Sequence, residues 1–223
     1  MKILIGIPSV RNYLDFMESM NFFLPKLGAE HQVEVYEVKN KLIADARNMI
    51  VEYMLSKDFE YLLFLDDDHS GHTMEMFNAL LKQDAYVCAI KCYSRFFPYS
   101  PNLLDYSGIE DLRMKYQMKN ETTGVHEFDL VGFGMTLIKR EVFEILEKPY
   151  FVSDNNQRED NYFCDKLQEK GIKPFGIMDF TLSHQGVNEH NVEIIKEQGM
   201  VKLKQEIMEK YPGKQIDNIT LVA

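Results

Sequence analysis

A short apolar run that ends in three carboxylates constrains the fold of this chain more than any other feature. The run is Tyr61–Leu65, and its aromatic and aliphatic composition is typical of a buried β-strand. Asp66, Asp67 and Asp68 follow it directly. Because unpaired carboxylates are costly to bury, they belong at the tip of the strand and not inside a sheet. An Asp-x-Asp pair there can bind a hard divalent cation, which can bind a diphosphate; a solvated acidic turn is the alternative.

Predicted strands and helices alternate around this run. The spacing of apolar residues predicts strands over 2–7, 32–38 and 85–90, and helices over 13–24, 41–55 and 73–81. This alternation predicts an α/β fold with a parallel sheet. In such sheets the ligand site lies outside the carboxyl ends of the strands, so residues 8–11 and 66–68 are expected to face each other.

The second half of the chain is predicted to continue the same domain less regularly. Residues 95–126 hold prolines, glycines and charges without periodicity, which indicates a long loop region or a small excursion. Further strands are predicted at 128–131, 135–138 and 173–178, and helices at 140–146 and 160–170. We therefore expect one domain over residues 1–223, with a helical tail at about 188–223.

Composition narrows the class of protein. The formal net charge of −10 lacks the basic excess that nonspecific nucleic-acid binding requires. Cys88, Cys92 and Cys164 have no zinc-site spacing, and free buried thiols suit a reducing compartment. We see neither a signal peptide nor an apolar run long enough to span a bilayer. These observations predict a cytoplasmic protein without a membrane span.

Several short segments occur in an order that resembles a known family. They are Ile7-Pro8, Ala46-Arg47-Asn48, Asp66-Asp67-Asp68, the stretch 131–135 around Gly132-Phe133-Gly134, the stretch 158–164 and Ser183-His184-Gln185-Gly186. Over roughly residues 1–186 the chain resembles glycosyltransferases of the GT-A fold, family-2-like and of the small bacterial or phage type. Two positions depart from the pattern: the strand near Val35 lacks an acidic pair, and Tyr162 replaces a second Asp. The resemblance implies a single Rossmann-like domain with a central mixed, mostly parallel sheet flanked by helices.

The resemblance also implies a metal site that binds the donor. Asp68 and His184 are the implied metal ligands, and Asp66 lies near the ribose and a metal-bound water. The implied cofactor is Mn²⁺, or Mg²⁺, which offsets the charge that builds on a diphosphate leaving group. Asp67 is interpreted as a structural residue or a minor donor contact. Of the other histidines, His69 is a candidate partner that supports the ligands.

Two acidic residues are candidates for catalysis. Glu159 and Asp160 open a predicted helix, where the helix dipole alone also favours carboxylates. By resemblance, Asp160 is the base that takes the proton of the acceptor hydroxyl in an inverting reaction, and Glu159 binds hydroxyls of donor or acceptor. In a retaining reaction both would only position substrates.

Further residues are candidates for binding the nucleotide sugar. Pro8 and Arg11 follow the first strand, and Arg47 lies at the edge of the apolar face of its helix. Arg47 could extend to solvent or reach the diphosphate or the aspartates. Gly132 and Gly134 would allow close approach of the backbone to a substrate, with a plain tight turn as the alternative.

These expectations combine into one leading function and two alternatives. The leading prediction is a metal-dependent hexosyltransferase-like enzyme that moves a sugar from a nucleoside-diphosphate donor, UDP-sugar first, to a hydroxyl. The acceptor stays open among a glycan, a lipid-linked sugar, a protein and a modified DNA base, and the sequence does not indicate an oligomeric state. The alternatives are a nucleotidyltransferase and a noncatalytic sugar- or metal-binding module.

Overall fold

The computed structural model describes residues 1–11, 13–95, 101–106, 116–117, 123–154 and 158–185. The helices are α1 Leu14–Glu30, α2 Ile43–Leu55, α3 Met74–Lys82, α4 Arg140–Ile145 and α5 Glu159–Glu169. The strands are β1 Lys2–Ser9, β2 Gln32–Lys39, β3 Tyr61–Leu65, β4 His69–Ser70, β5 Val87–Cys92, β6 Leu103–Tyr106, β7 Tyr116–Gln117, β8 Val125–Glu127, β9 Leu130–Val131, β10 Met135–Lys139 and β11 Phe175–His184. The predicted tail at 188–223 and Gly186 lie outside the described residues.

A mixed sheet forms the centre of the fold. Its strands follow the order β2-β1-β3-β10-β5-β11-β4, and β8 pairs with β11. Strands β2, β1 and β3 are parallel, as are β5 and β11, while β10 runs antiparallel between β3 and β5. This confirms the prediction of an α/β domain with a mixed, mostly parallel sheet flanked by helices.

Helices cover both faces of the sheet, and alternate residues of β3 show how. Leu62 and Phe64 pack into the cluster formed with α2, α4 and α5, whereas Leu63 and Leu65 pack into the cluster formed with α1 and α3. All four side chains are fully buried. Burial of each stabilises the fold by about 1.5–3 kcal/mol. A strand buried on both faces reads as a continuous apolar run, which is why β3 was visible in the sequence.

Several details differ from the sequence prediction. Helix α1 extends to Glu30, beyond the predicted end at residue 24, and the short strand β4 was not predicted. Strand β1 continues through Pro8 to Ser9. The pairing of β1 with β3 ends at Gly6, so the missing backbone N–H of Pro8 removes no hydrogen bond to β3. The segment predicted as a loop or excursion contains strands, and β6 pairs with β7 and β9 in a separate small sheet. Strand β11 extends to His184, beyond the predicted end at residue 178, and its register with β5 shifts between Ile177 and Thr181. No helix among the described residues is long and apolar enough to cross a bilayer.

Candidate active site

The carboxyl ends of β3 and β11 bring distant residues together. Strand β4 pairs antiparallel with the end of β11, which places His69 opposite His184. The Gln185 amide donates a 2.8 Å hydrogen bond to the carbonyl of Asp68. As a result, one ligand atom from each of Asp68, His69 and His184 lies within 4.8 Å of the others. We call these three residues the imidazole cluster.

The hydrogen bonds of His184 fix how its ring can act. The Nδ1 atom lies 2.6 Å from the carbonyl oxygen of Tyr93, which can only accept, so Nδ1 carries a proton. The Nε2 atom lies 3.2 Å from Asp68 Oδ2. Nε2 therefore either carries a second proton, shared with the carboxylate, or directs a lone pair at it. A divalent cation between the two atoms can take the place of that proton.

Asp68 is held in its ionised form. Burial by itself raises the pKa of this carboxyl, but the contacts with the imidazoles of His184 and His69 outweigh burial and hold the pKa well below its ordinary value. An ionised carboxylate is the state that ligates metals. The side chain is 18% exposed, so a solute can reach it.

His69 is the third member of the cluster, whereas the sequence indicated only a supporting role. Its ring is buried and stacks on that of His184, with 4.1 Å between centroids and 22° between planes. Its Nδ1 lies 2.9 Å from Asp68 Oδ1, off the line that a hydrogen bond requires. A Cβ on Gly134 would come within 2.9 Å of His69 Nε2. The absence of a side chain at Gly134 therefore makes room for this ring.

Asp66 has a different partner from its neighbour Asp68. Arg47 Nη2 donates to both Asp66 oxygens, at 2.9 and 3.2 Å, and Arg47 Nε donates to Glu159 Oε1 at 3.4 Å. We call Arg47, Asp66 and Glu159 the guanidinium cluster. The guanidinium lies 5.1 and 4.6 Å from the ring centroids of Phe64 and Phe133. At 2% exposure, Arg47 reaches the aspartates and does not extend to solvent.

Burial dominates the electrostatics of this second cluster. Burial raises the pKa of Asp66 to about 7, because Arg47 offsets only part of it and the charges of Asp68 and Glu159 add to it. Both oxygens of Asp66 accept from Arg47, and Asp66 is not a member of the imidazole cluster. Its predicted roles at the metal and the ribose stay predictions.

Helix α5 carries the two candidate catalytic acids at its first positions. Burial and the charge of Glu159 raise the pKa of Asp160 to about 6. Asp160 Oδ1 accepts a 2.8 Å hydrogen bond from the Asn161 amide, and Glu159 Oε2 accepts one of 3.3 Å from the Ser153 hydroxyl. A carboxyl that titrates near neutrality is suited to accept and release a proton.

Asp67 fixes the loop after β1. Its Oδ2 accepts hydrogen bonds from the Ser9 hydroxyl at 3.0 Å and from the amides of Val10 and Arg11 at 2.9 and 3.0 Å. These contacts fit the structural interpretation of Asp67. Arg11 itself is exposed.

The remaining candidates of the donor site are part of the scaffold. Pro8 is buried in β1, and a Cβ on Gly132 would lie 2.9 Å from that of Asn102. Donor binding by Pro8, Arg11, Asp67, Gly132 and Gly134 stays a prediction.

Comparisons with known proteins bear on the fold. No family model and no curated protein matches the chain. The crystal structure of A197 from STIV matches with a TM-score of 0.57 and 19% identity, over 85% of this chain and 87% of that one. The crystal structure of GalNAc-T7 with UDP, GalNAc and Mn²⁺ matches with a TM-score of 0.53 and 15% identity, over 84% of this chain and 43% of that one. The chain has a GT-A-like fold. At these identities the similarity supports a shared fold but not a shared activity.

Two features of the site have only weak signals in the sequence. Arg95 Nη1 lies 3.3 Å from Asp68 Oδ2, although residue 95 only begins the stretch that the sequence predicts as a loop region or excursion. His69 followed the aspartates directly, but only its pairing opposite His184 shows that both rings share a cluster. That pairing joins strands more than 100 residues apart, which apolar periodicity does not reveal.

Proposed function

We propose that this protein is a metal-dependent glycosyltransferase that moves a sugar from a nucleoside-diphosphate donor to a hydroxyl acceptor. The observation that carries the proposal is the imidazole cluster, with ligand atoms within 4.8 Å at the carboxyl ends of β3 and β11. The GT-A-like fold supports it, as does a structural neighbour, GalNAc-T7, whose crystals contain UDP and Mn²⁺.

The ligand set favours one class of cation. Two imidazoles and one carboxylate suit Mn²⁺ or a similar transition metal better than Mg²⁺ or Ca²⁺, which prefer oxygen ligands. Bound there, the cation supplies positive charge to the diphosphate as the glycosidic bond breaks. Asp68, His69 and His184 would hold it, and the carbonyl of Tyr93 orients the His184 ring.

Asp160 is proposed as the base. As the acceptor oxygen bonds to the anomeric carbon, its proton passes to the Asp160 carboxylate, and the bond to the diphosphate breaks with its electron pair on the leaving oxygen. A pKa of about 6 leaves Asp160 largely ionised at pH 7 and basic enough to accept that proton. Glu159, held by Arg47 and Ser153, is proposed to bind substrate hydroxyls.

A donor screen tests the proposal. The full-length protein is incubated with each of several nucleotide sugars and Mn²⁺, and released nucleoside diphosphate is measured. We expect release from one donor, with Mn²⁺ more effective than Mg²⁺, and none from the Asp68→Asn variant. Saturable donor binding without release or transfer would instead indicate a noncatalytic module. Pyrophosphate release from a nucleoside triphosphate and a sugar phosphate would indicate a nucleotidyltransferase.

A further inference from the structure

Arg95 shares one carboxylate oxygen with the imidazole cluster. Its Nη1 lies 3.3 Å from Asp68 Oδ2, and the same oxygen lies 3.2 Å from His184 Nε2. The Arg95 side chain is 36% exposed, while that of Asp68 is 18% exposed. The guanidinium therefore reaches inward from the surface to a carboxylate of the candidate metal site.

A cation and Arg95 compete for this oxygen. A divalent cation bound by Asp68 Oδ2 and His184 Nε2 would lie about 2.0–2.6 Å from each atom. A guanidinium 3.3 Å from the same oxygen would then face a doubly charged ion at close range, where like charges repel. Arginine cannot relieve that repulsion by losing its proton. Cation binding is therefore favoured when the Arg95 guanidinium leaves Asp68 or when further negative charge comes near it.

We propose that Arg95 is a resident counter-ion of the imidazole cluster, so that a bare cation binds weakly and a diphosphate makes cation binding tight. This inference rests on the proposed function. A diphosphate bound to the cation offers the guanidinium two anionic oxygens in exchange for Asp68, in the planar geometry that arginine favours. Loading of the site thereby becomes dependent on the donor.

The local chain path allows this exchange without dismantling the site. Tyr93, two residues before Arg95, holds His184 through a backbone carbonyl, whereas Arg95 contacts Asp68 through its side chain. Moving the guanidinium therefore leaves the orientation of the imidazole intact. Because coupling between two ligands is reciprocal, the cation also tightens diphosphate binding by the same factor, and removal of Arg95 shrinks that factor.

The test measures Mn²⁺ binding by the full-length protein from the electron paramagnetic resonance signal of the free ion, with and without UDP. Arg95→Gln is compared with Arg95→Lys, which keeps the charge, and with Lys148→Gln, a matched charge loss at a surface pair with Glu52. Without UDP, we expect Arg95→Gln to bind Mn²⁺ at least about 5-fold more tightly than wild type, the lower end of typical coupling. The other two variants should stay near wild type.

UDP should raise the Mn²⁺ affinity of wild type by a larger factor than that of Arg95→Gln. If wild type binds Mn²⁺ without UDP and Arg95→Gln binds it no more tightly, the proposed function stands while the inference is overturned. It is also overturned if the gain from UDP is no larger in wild type than in the variant. Failure of all four proteins to bind Mn²⁺ under either condition would remove the proposed metal site itself. Melting temperatures confirm that each variant is folded.

Discussion

The imidazole cluster and the guanidinium cluster treat neighbouring aspartates in opposite ways. Asp68 has a pKa well below its ordinary value, because the favourable contacts of two imidazoles outweigh burial. Asp66, two residues earlier, has its pKa raised to about 7, because burial outweighs its contact with Arg47. An imidazole can exchange its proton for a metal ion, whereas a guanidinium keeps its charge. Asp68 is therefore the carboxylate whose partners could give way to a cation, whereas Asp66 is paired with an arginine that keeps its charge.

Replacement of Asp68 breaks the imidazole cluster and has the largest expected effect. Loss of a group that merely supports a metal ligand already costs about 10–100-fold in affinity, so Asp68→Asn should weaken Mn²⁺ binding by more than that and abolish metal-dependent transfer. Isothermal titration with Mn²⁺ checks this. Asp67→Asn is the matched control, since Asp67 lies outside the cluster and contacts the β1 loop. Equal losses in both variants would show that the acidic run acts only through its total charge.

Replacement of Asp160 tests the acids beside the guanidinium cluster. Asp160→Asn removes a proton acceptor while preserving side-chain shape, so transfer should fall by roughly 10²–10⁴-fold with Mn²⁺ affinity unchanged. Product formation under saturating donor and Mn²⁺ measures this loss. Glu159→Gln should alter substrate affinity as well as rate, because Glu159, which Arg47 holds in place, is proposed to bind substrate hydroxyls. Near-normal turnover in Asp160→Asn, or a product that retains the anomeric configuration, would remove the base role.

Replacement of Arg47 tests the guanidinium cluster through the free energy of unfolding. Arg47→Met leaves the partly buried Asp66 and Glu159 without their cationic partner, which should lower the free energy of unfolding by up to about 3–5 kcal/mol. Urea denaturation measures the loss. The double variant Arg47→Met/Asp66→Asn should recover part of it, since the unpaired charge is removed as well. Lys148→Met, at a surface pair, should show no comparable loss, and an equally small effect of Arg47→Met would contradict a committed pairing.

The pH dependence of turnover gives the smallest effect and tests the base beside the guanidinium cluster without mutation. The pKa of Asp160 is raised from 3.8 to about 6, so its basic form prevails above pH 6 and is lost below it. With Mn²⁺ and donor saturating, kcat should fall about tenfold per pH unit below pH 6. A rate that stays flat down to pH 4.5 would be incompatible with this base. Stability has the matching sign: a raised pKa in the folded state means that protonation of Asp160 favours the fold as pH falls from about 6 toward 4.

The fold was predictable from sequence because its signals are local. Apolar runs such as Tyr61–Leu65 and the periodic apolar face of Ile43–Leu55 specify strands and helices before any tertiary contact is known. The position of residues 66–68 at a strand tip follows from the cost of burying carboxylates. The pairing of Asp68 with His184 came from resemblance alone, since no periodic signal connects the two residues.

The partners within the site were not predictable, because long-range geometry decides them. Residue 47 could have reached solvent equally well by its place on α2, and only the tertiary fold puts it between Phe64 and Phe133. Strands β6 and β7 of the small sheet arise in a stretch with no regular pattern, whereas β9 lies within a predicted strand. The sequence therefore identifies the chemical groups of the site but not all of their contacts.

The three adjacent aspartates also constrain how the chain folds. Asp66 contacts a residue 19 positions away, Asp67 one 58 positions away and Asp68 one 116 positions away. Contacts of high sequence separation carry a large loop-closure entropy, which is offset only once the intervening segments are structured. Among these three contacts, only that of Asp68 requires β11 to have joined the sheet. The imidazole cluster cannot form without His184, so a chain that ends before this residue lacks the proposed metal site.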